Sequence, residues 1–467
     1  MTVRAPLLAL LLAGACDEGL PTASDLGKPA TVDAPDVVLP VDSEPVIDVS
    51  DQPKNQCDVT WSYVMPESGI ASQPVVDAEG RTLIAAGNTL RRVAADGSND
   101  ADCAPPFVAP GEALGSPSLA ANGAAFVGTG SGKLFGVSRQ CKAKWGAPVD
   151  LWASACAKFK TPQYCDRTAK PVREAPALLG DRTIFVLDAT PAIHRIDDLG
   201  AQPDYQWPFL TQDTEPLPGA TPVIAGGDVT TAFVAFPTRR TVVAMDVTGS
   251  RRWEFSEFLD PPEGAPIREI TSPLALTADG SVVFAAGEPD GDSYKNLAIY
   301  QLKATSNNGK VAEVVSGFPR PLGLQQDAVR GIAVTPSNEL VLAMAGNGVI
   351  RLDAQGEILW KFIGDAESLR ATSVPTLGKD GSIFVTAEPR SVYGIDPDGH
   401  RVFRYESPGA GILDTTSPAI SDTGMVLVHF GSELKAYTCT QTHGLAVSSF
   451  PRYQRNNRSS GRLEEPN

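Results

Sequence analysis

The chain has 467 residues, 42% hydrophobic and 20% charged, and its 43 Gly and 39 Pro imply a soluble globular protein with many turns and little long helix. A formal net charge of −16 gives a field that repels phosphate backbones and anionic bilayer surfaces, which argues against a nucleic-acid partner.

The N-terminus carries Arg4, the apolar run Leu7-Leu8-Ala9-Leu10-Leu11-Leu12 and the small residues Ala13-Gly14-Ala15 before Cys16. This run suits the core of a signal peptide and is too short to span a bilayer, so residues 1–15 are expected to be removed. Leu12-Ala13-Gly14-Ala15-Cys16 resembles a bacterial lipobox, with Ala13 where Leu is commoner. Lipidation at Cys16 would anchor the chain stably, since several acyl chains exceed the two-signal threshold for membrane retention. Ordinary cleavage near Ala15, leaving Cys16 as a thiol, is the other reading. Residues 16–56 are then the lipidated cysteine and an acidic tether, rich in Asp, Pro, Val, Ser and Thr, with no aromatic residue and only Lys28 and Lys54 as bases. Such a composition does not bury enough apolar area to offset its ordering entropy. The expected location is the cell envelope, at the outer membrane or the periplasmic side of a membrane, with the body in water.

Residues 57–449 form a series of repeats. Each opens with a small-Pro-apolar phrase: Ser72-Gln73-Pro74-Val75, Ser116-Pro117-Ser118-Leu119, Ala175-Pro176-Ala177-Leu178, Thr221-Pro222-Val223-Ile224, Ser272-Pro273-Leu274-Ala275, Val374-Pro375-Thr376-Leu377 and Ser417-Pro418-Ala419-Ile420. An eighth copy, Gly331-Ile332-Ala333-Val334, lacks the proline. Landmarks roughly 42 to 60 residues apart fall in the range of propeller blades. Within each copy, Val/Ile/Phe-rich runs such as Thr183-Ile184-Phe185-Val186 and Met425-Val426-Leu427-Val428 alternate with polar turns, the pattern of strands and hairpins. A third strand runs into turns such as Asp396-Pro397-Asp398-Gly399, where glycine takes the positive φ and Asp bonds back to its own backbone. A fourth is predicted around Trp, at Lys144-Trp145, Gln206-Trp207, Arg252-Trp253 and Leu359-Trp360.

The predicted fold is therefore all-β, an eight-bladed β-propeller of four-stranded antiparallel blades. The last copy, from Ser417 to Thr438, lacks a Trp-bearing strand, and Asp58-Val59-Thr60-Trp61-Ser62-Tyr63 supplies one from the other end of the chain. The N-terminal strand is predicted to complete the last blade, closing the ring and removing a free sheet edge.

Apart from Cys16 there are six cysteines, an even number that reads as disulfides in an exported chain and that allows fifteen pairings. Closure would set Cys57 and Cys439 on neighbouring strands. Cys156 and Cys165 share one loop, and Cys103 with Cys141 would be the remainder; the sequence does not choose among the fifteen. There is no CxxC or vicinal Cys-Cys.

Gly128-Thr129-Gly130-Ser131-Gly132-Lys133-Leu134-Phe135-Gly136-Val137 and Val392-Tyr393-Gly394-Ile395-Asp396-Pro397-Asp398-Gly399 resemble the repeat of the PQQ-like β-propellers, the quinoprotein alcohol dehydrogenase-like superfamily. The tail, residues 450–467, contains Phe450-Pro451-Arg452-Tyr453 through Gly461-Arg462, similar to a Trp-Pro-x-x-Arg phrase of bacterial members, with Phe450 where Trp is usual. The resemblance implies the fold over roughly residues 57 to 462. It implies less about activity, because the superfamily holds both enzymes and non-enzymatic outer-membrane lipoproteins.

A quinoprotein enzyme needs a clamped quinone, a metal and a catalytic carboxylate. The vicinal cysteine pair common in those enzymes is missing, and no cofactor, metal or catalytic residue is assigned. Gly128–Lys133 fails the phosphate-loop pattern at Val127 and Leu134 and reads as a hairpin turn. Glu288–Asn296 gathers acids without EF-hand spacing. His194, His400, His429 and His443 are dispersed. Binding is expected instead at three insertions, Val149–Val172, Phe258–Ile270 and Val315–Val329, because loops on a rigid scaffold commonly carry it. The expectation is a monomeric, non-catalytic envelope scaffold binding a protein or glycan partner, held at the membrane by its lipid alone; a divergent PQQ-dependent dehydrogenase or other propeller enzyme is the alternative.

Overall fold

The computed structural model describes residues 57–66, 72–190, 192–210, 222–225, 230–236, 240–256, 267–291, 293–304, 312–324, 327–364, 369–408, 416–440, 442–448, 452 and 462–463. They form eight sheets in succession: blade 1 (75–108), blade 2 (114–150), blade 3 (177–210), blade 4 (223–255), blade 5 (269–321), blade 6 (329–362), blade 7 (376–406) and blade 8 (419–439 with 57–64). Each is an antiparallel meander whose middle strands are Val-, Ile- and Phe-rich and buried on both faces, as Thr231–Phe236 and Met425–Phe430 show. Burial on both faces follows from the architecture, because every blade is packed between two others. Seven apolar clusters bridge successive blades around the ring. Phe126, Trp145, Ile184 and Val186 join blades 2 and 3, for example, and Val75, Leu83, Phe107 and Val127 join blades 1 and 2.

Blade 8 is completed by β1 (Cys57–Val64), which pairs antiparallel with Glu433–Cys439 from Cys57↔Cys439 to Val64↔Glu433, with a bulge between Val59 and Trp61. The outermost strand of the last blade thus comes from the start of the ring, which gives blade 8 its fourth strand and covers Glu433–Cys439. Buried polar contacts link the inner strands across the closure. Thr376 Oγ1 donates to the Pro418 carbonyl at 2.7 Å, Ser417 N–H to Gln73 Oε1 at 2.6 Å, and Gln73 N–H to Ser116 Oγ at 3.3 Å.

An aromatic latch recurs between outer strands. Trp61 Nε1 donates to Ala95 O, Trp207 Nε1 to Val247 O and Trp360 Nε1 to Pro397 O, at 3.0, 3.1 and 2.9 Å, each indole reaching a turn of the next blade. Glycine is required where the ring lies flat on the turn. A Cβ on Gly97 (φ +85) or Gly249 (φ +86) would stand 2.7 Å from carbons of Trp61 or Trp207.

Blades 2 and 5 depart from the expected outer strands, and blade 4 is five-stranded because Arg462–Leu463 joins its inner edge. Trp145 is not on a strand: the fourth strand of blade 2 is the short Val149–Asp150, because residues 138–148 leave the ladder in a turn stapled by Cys103–Cys141. Trp145 is still buried, its Nε1 donating to Asp198 of blade 3 at 3.1 Å. Blade 5 has six strands, with Arg320–Pro321 paired to Ala298 and Ile299. The insertion carrying Phe318 and Arg320 takes the latch position that Trp fills elsewhere. Arg320 Nε donates to Gln355 O at 2.9 Å, and a Cβ on Gly356 would meet both Arg320 and Phe318.

Described parts of the C-terminal region lie against innermost strands. Ala446 N–H donates to Leu377 O of blade 7, Arg452 Nη2 to Pro74 O of blade 1 at 3.2 Å, and Arg462–Leu463 pairs parallel with Ile224 and Ala225 of blade 4. Arg452 is 0% exposed.

Candidate binding face at blades 2 and 3

The insertion between blades 2 and 3 folds into α1 (Leu151–Phe159) and the single turn α2 (Pro162–Cys165). Asp150 caps α1, its carboxylate accepting from Ala153 N–H at 2.9 Å, and Lys160 ends the helix in a left-handed conformation with its N–H on Cys156 O. Leu151, Trp152 and Ala155 form the buried face. Cys156–Cys165 ties the two helical segments together, as Cys57–Cys439 ties β1 to blade 8.

A buried polar network fixes this insertion to blade 3. Trp152 Nε1 donates to Asp188 Oδ2 at 2.7 Å, and the other Asp188 oxygen accepts from Ala192 and Thr190 N–H at 2.9 Å. His194 Nε2 lies 3.3 Å from Asp188 Oδ2 and its Nδ1 is 2.8 Å from the Tyr205 hydroxyl. The Trp152 and His194 rings meet edge to face with centroids 5.0 Å apart. Burial opposes the charge on Asp188, yet the His194 ring and the donors around it hold its carboxyl below the usual range. Burial pushes the Tyr205 phenol up, so it stays protonated. Asp188 and His194 have 0% side-chain exposure. An Asp-His pair out of reach of substrate works as a fastener, holding α1 rigidly on the ring.

The return segment fixes the other side. Val172 N–H donates to Thr129 O at 2.9 Å, and a Cβ on Gly128 would fall 2.1 Å from Val172 Cγ1, while one on Gly132 would fall 2.7 Å from Lys170 O. The glycines of Gly128–Lys133 serve a hairpin between Ala125–Thr129 and Lys133–Val137 that lets this segment cross at backbone contact.

Next to the insertion, at the margin between blades 1 and 2, lies a groove of about 190 Å³ lined mainly by Phe107, Val108, Pro110, Phe135, Trp145 and Pro148. It exists because Val149–Asp150 covers only Lys133 and Leu134 of the preceding strand. Phe107 and Phe135 meet edge to face at 5.4 Å, and Val108 is 49% exposed.

The other singled-out residues are spread around the ring. His400 is exposed beside Asp396 at 3.2 Å, His429 is buried in blade 8, and His443 is exposed. Glu288–Asn296 is the end of the long hairpin Val282–Asp290/Ser293–Ala304. Among the described residues, no three His, Cys, Asp or Glu side chains gather as a metal set. Cys16 and most of Phe258–Ile270 lie outside the described residues. Sequence reasoning missed the Asp188 network; its one local signal is Asp188-Ala189-Thr190, an Asp positioned to bond its own turn.

No protein-family model matches the chain, and no curated protein matches it. Among solved structures it is similar to BamB from Moraxella catarrhalis (16% identity, TM-score 0.55, covering 82% of this chain and 99% of that one). It is likewise similar to Saccharomyces cerevisiae Sqt1 (10%, 0.58, covering 84% and 100%) and to the C-terminal WD40 domain of Sif2 (9%, 0.57, covering 82% and 98%). At these identities the likeness is one of fold, a β-propeller.

Proposed function

We propose that this protein is a lipid-anchored scaffold of the bacterial cell envelope that binds a protein or glycan partner through the rigid outer surface of its propeller. The observation that carries the reading is the use of the axial wall. The chain's own C-terminal residues lie on the inner strands of blades 1, 4 and 7, while a stapled, hydrogen-bonded insertion is presented on the outside of blades 2 and 3. A rigid element on a rigid ring loses little entropy on association. The fold shared with BamB and WD40 propellers supports an interaction role at that level of detail. Anchoring rests on Leu12–Cys16, and the acidic remainder of residues 16–56 would supply a tether.

The test is crosslinking in intact envelopes followed by purification under denaturing conditions, with intact-mass measurement of the same material. A diacylated or triacylated Cys16 N-terminus and a reproducible crosslinked partner are the expected results. A chain starting at another residue refutes the anchor, and a protein recovered only as itself refutes the scaffold.

A further inference from the structure

We infer that the stapled insertion is a docking site for an acidic, extended polypeptide segment. This deepens the scaffold reading and rests on it. The chain is acidic overall, at −16, yet residues 158–173 carry five bases, Lys158, Lys160, Arg167, Lys170 and Arg173, against the single acid Asp166. All five bases are exposed. This local reversal of sign sits on a braced projection of the ring, between the Cys156–Cys165 staple and the crossing over Gly128 and Gly132.

The use each base already has separates the structural ones from the available ones. Lys158 donates to Tyr205 O and lies 4.0 Å from Asp204, so it helps seat α1 on blade 3. Arg167 lies over the Trp152 ring at 5.7 Å. Lys160, Lys170 and Arg173 make no ion pair among the described residues; the contacts of the Lys170 and Arg173 stretch are made by main-chain carbonyls. Three solvated cations held within one short segment face the solvent in a field that is otherwise negative.

The arrangement selects among anions. Lys158 and Lys160 fall at the C-terminal end of α1, Arg167 just after α2, and Lys170 and Arg173 on the return segment, so the positive charge is distributed over the whole insertion, which suits a polyanionic chain better than a single phosphate or carboxylate. The tip between them is aromatic. Phe159 is 37% exposed and its ring centroid is 5.2 Å from that of Tyr164. Cations spaced around an apolar tip match a chain of Asp and Glu residues interrupted by large apolar ones.

The test uses the full chain and a fluorescein-labelled peptide about 12 residues long, rich in Asp and Glu with two phenylalanines, enough to span the insertion when extended. Fluorescence anisotropy should show binding that weakens as salt rises from about 50 to about 300 mM. The triple variant Lys160→Glu, Lys170→Glu, Arg173→Glu should weaken it by about tenfold or more. Its melting temperature should stay within a few degrees of the parent's, because none of the three side chains makes an ion pair among the described residues and only Lys160, at the end of α1, loses a favourable helix-dipole contact. Equal binding by the triple variant, or no peptide binding at low salt, overturns the inference. So do vesicles containing phosphatidylglycerol that bind the parent better than the peptide does and lose that binding in the variant; the surface then meets lipid. Envelope crosslinking separates this failure from failure of the scaffold reading. Identical partners for parent and variant sink only the docking site, whereas no partner for either sinks the scaffold.

Discussion

Replacing Cys57 and Cys439 together by serine should cost more stability than removing either other disulfide. The bond spans 382 residues, against 38 for Cys103–Cys141 and 9 for Cys156–Cys165. In the chain-entropy description, the constraint on the unfolded chain grows with the logarithm of the enclosed loop, which gives about 6, about 4 and about 3 kcal/mol at 25 °C in that order. In the folded state Cys57 faces Cys439 at the end of the ladder that runs to Val64↔Glu433, so the double serine variant keeps its register and the difference should lie mainly in the unfolded ensemble. Guanidinium unfolding of the oxidised parent and the three double variants, followed by circular dichroism, measures the order directly. A Cys57/Cys439 variant within about 1 kcal/mol of the Cys156/Cys165 variant would refute the argument, because the loop term separates them by about 3 kcal/mol.

Other consequences concern the network, the latch and a buried histidine. Asp188→Ala strands the Trp152 indole N–H and the His194 ring inside the protein and should cost about 3 kcal/mol or more; limited proteolysis should then cut between 151 and 172, and an unchanged digest would count against the fastener role. Gly249→Ala adds a methyl 2.7 Å from the Trp207 ring at positive φ and should cost about 2 to 4 kcal/mol, whereas Gly111→Ala, also at positive φ but with open space around it, should cost about 1; thermal melts with tryptophan fluorescence compare them. Burial, with Arg390 beside it, depresses His429 to about 4. The unfolded histidine takes up its proton near pH 6.5, so its share of stability is whole above that pH and erodes by about 3 kcal/mol as the pH falls towards 4. His429→Leu should flatten this part of the stability–pH curve, and an unaltered slope would show that other groups set it.

The ring was legible in the sequence for a physical reason. Most blades repeat the same local chemistry, with the small-Pro opening in seven of the eight copies followed by apolar runs and polar turns, so a weak signal is read several times over. The missing strand after Thr438 and the spare one around Trp61 revealed the closure, since an exposed edge is a cost that chains avoid. The blade 5 latch was not legible, because Phe318 and Arg320 substitute for Trp by position in space while their sequence context differs. Trp145 misled for the converse reason: after leaving the strand it still reaches the next blade, but through the Asp198 carboxylate where its counterparts bond main-chain carbonyls. The Asp188, His194, Tyr205 and Trp152 network joins side chains from α1, a turn and two strands of blade 3 with no shared period, and only their packing brings them together.

The place of the Cys57–Cys439 bond has a mechanical meaning. It joins β1 to its neighbour at the first residue of the strand, where the chain enters the ring. Tension applied to the polypeptide ahead of Cys57 therefore passes through a covalent link into the interior of blade 8 before it reaches the hydrogen bonds from Asp58 to Val64. A ladder without that link would be pulled apart from its loaded end, one pair after another. With it, the seam that closes the circle is shielded from traction, and the load is shared with a strand whose residues Leu434, Ala436 and Tyr437 are buried in the core.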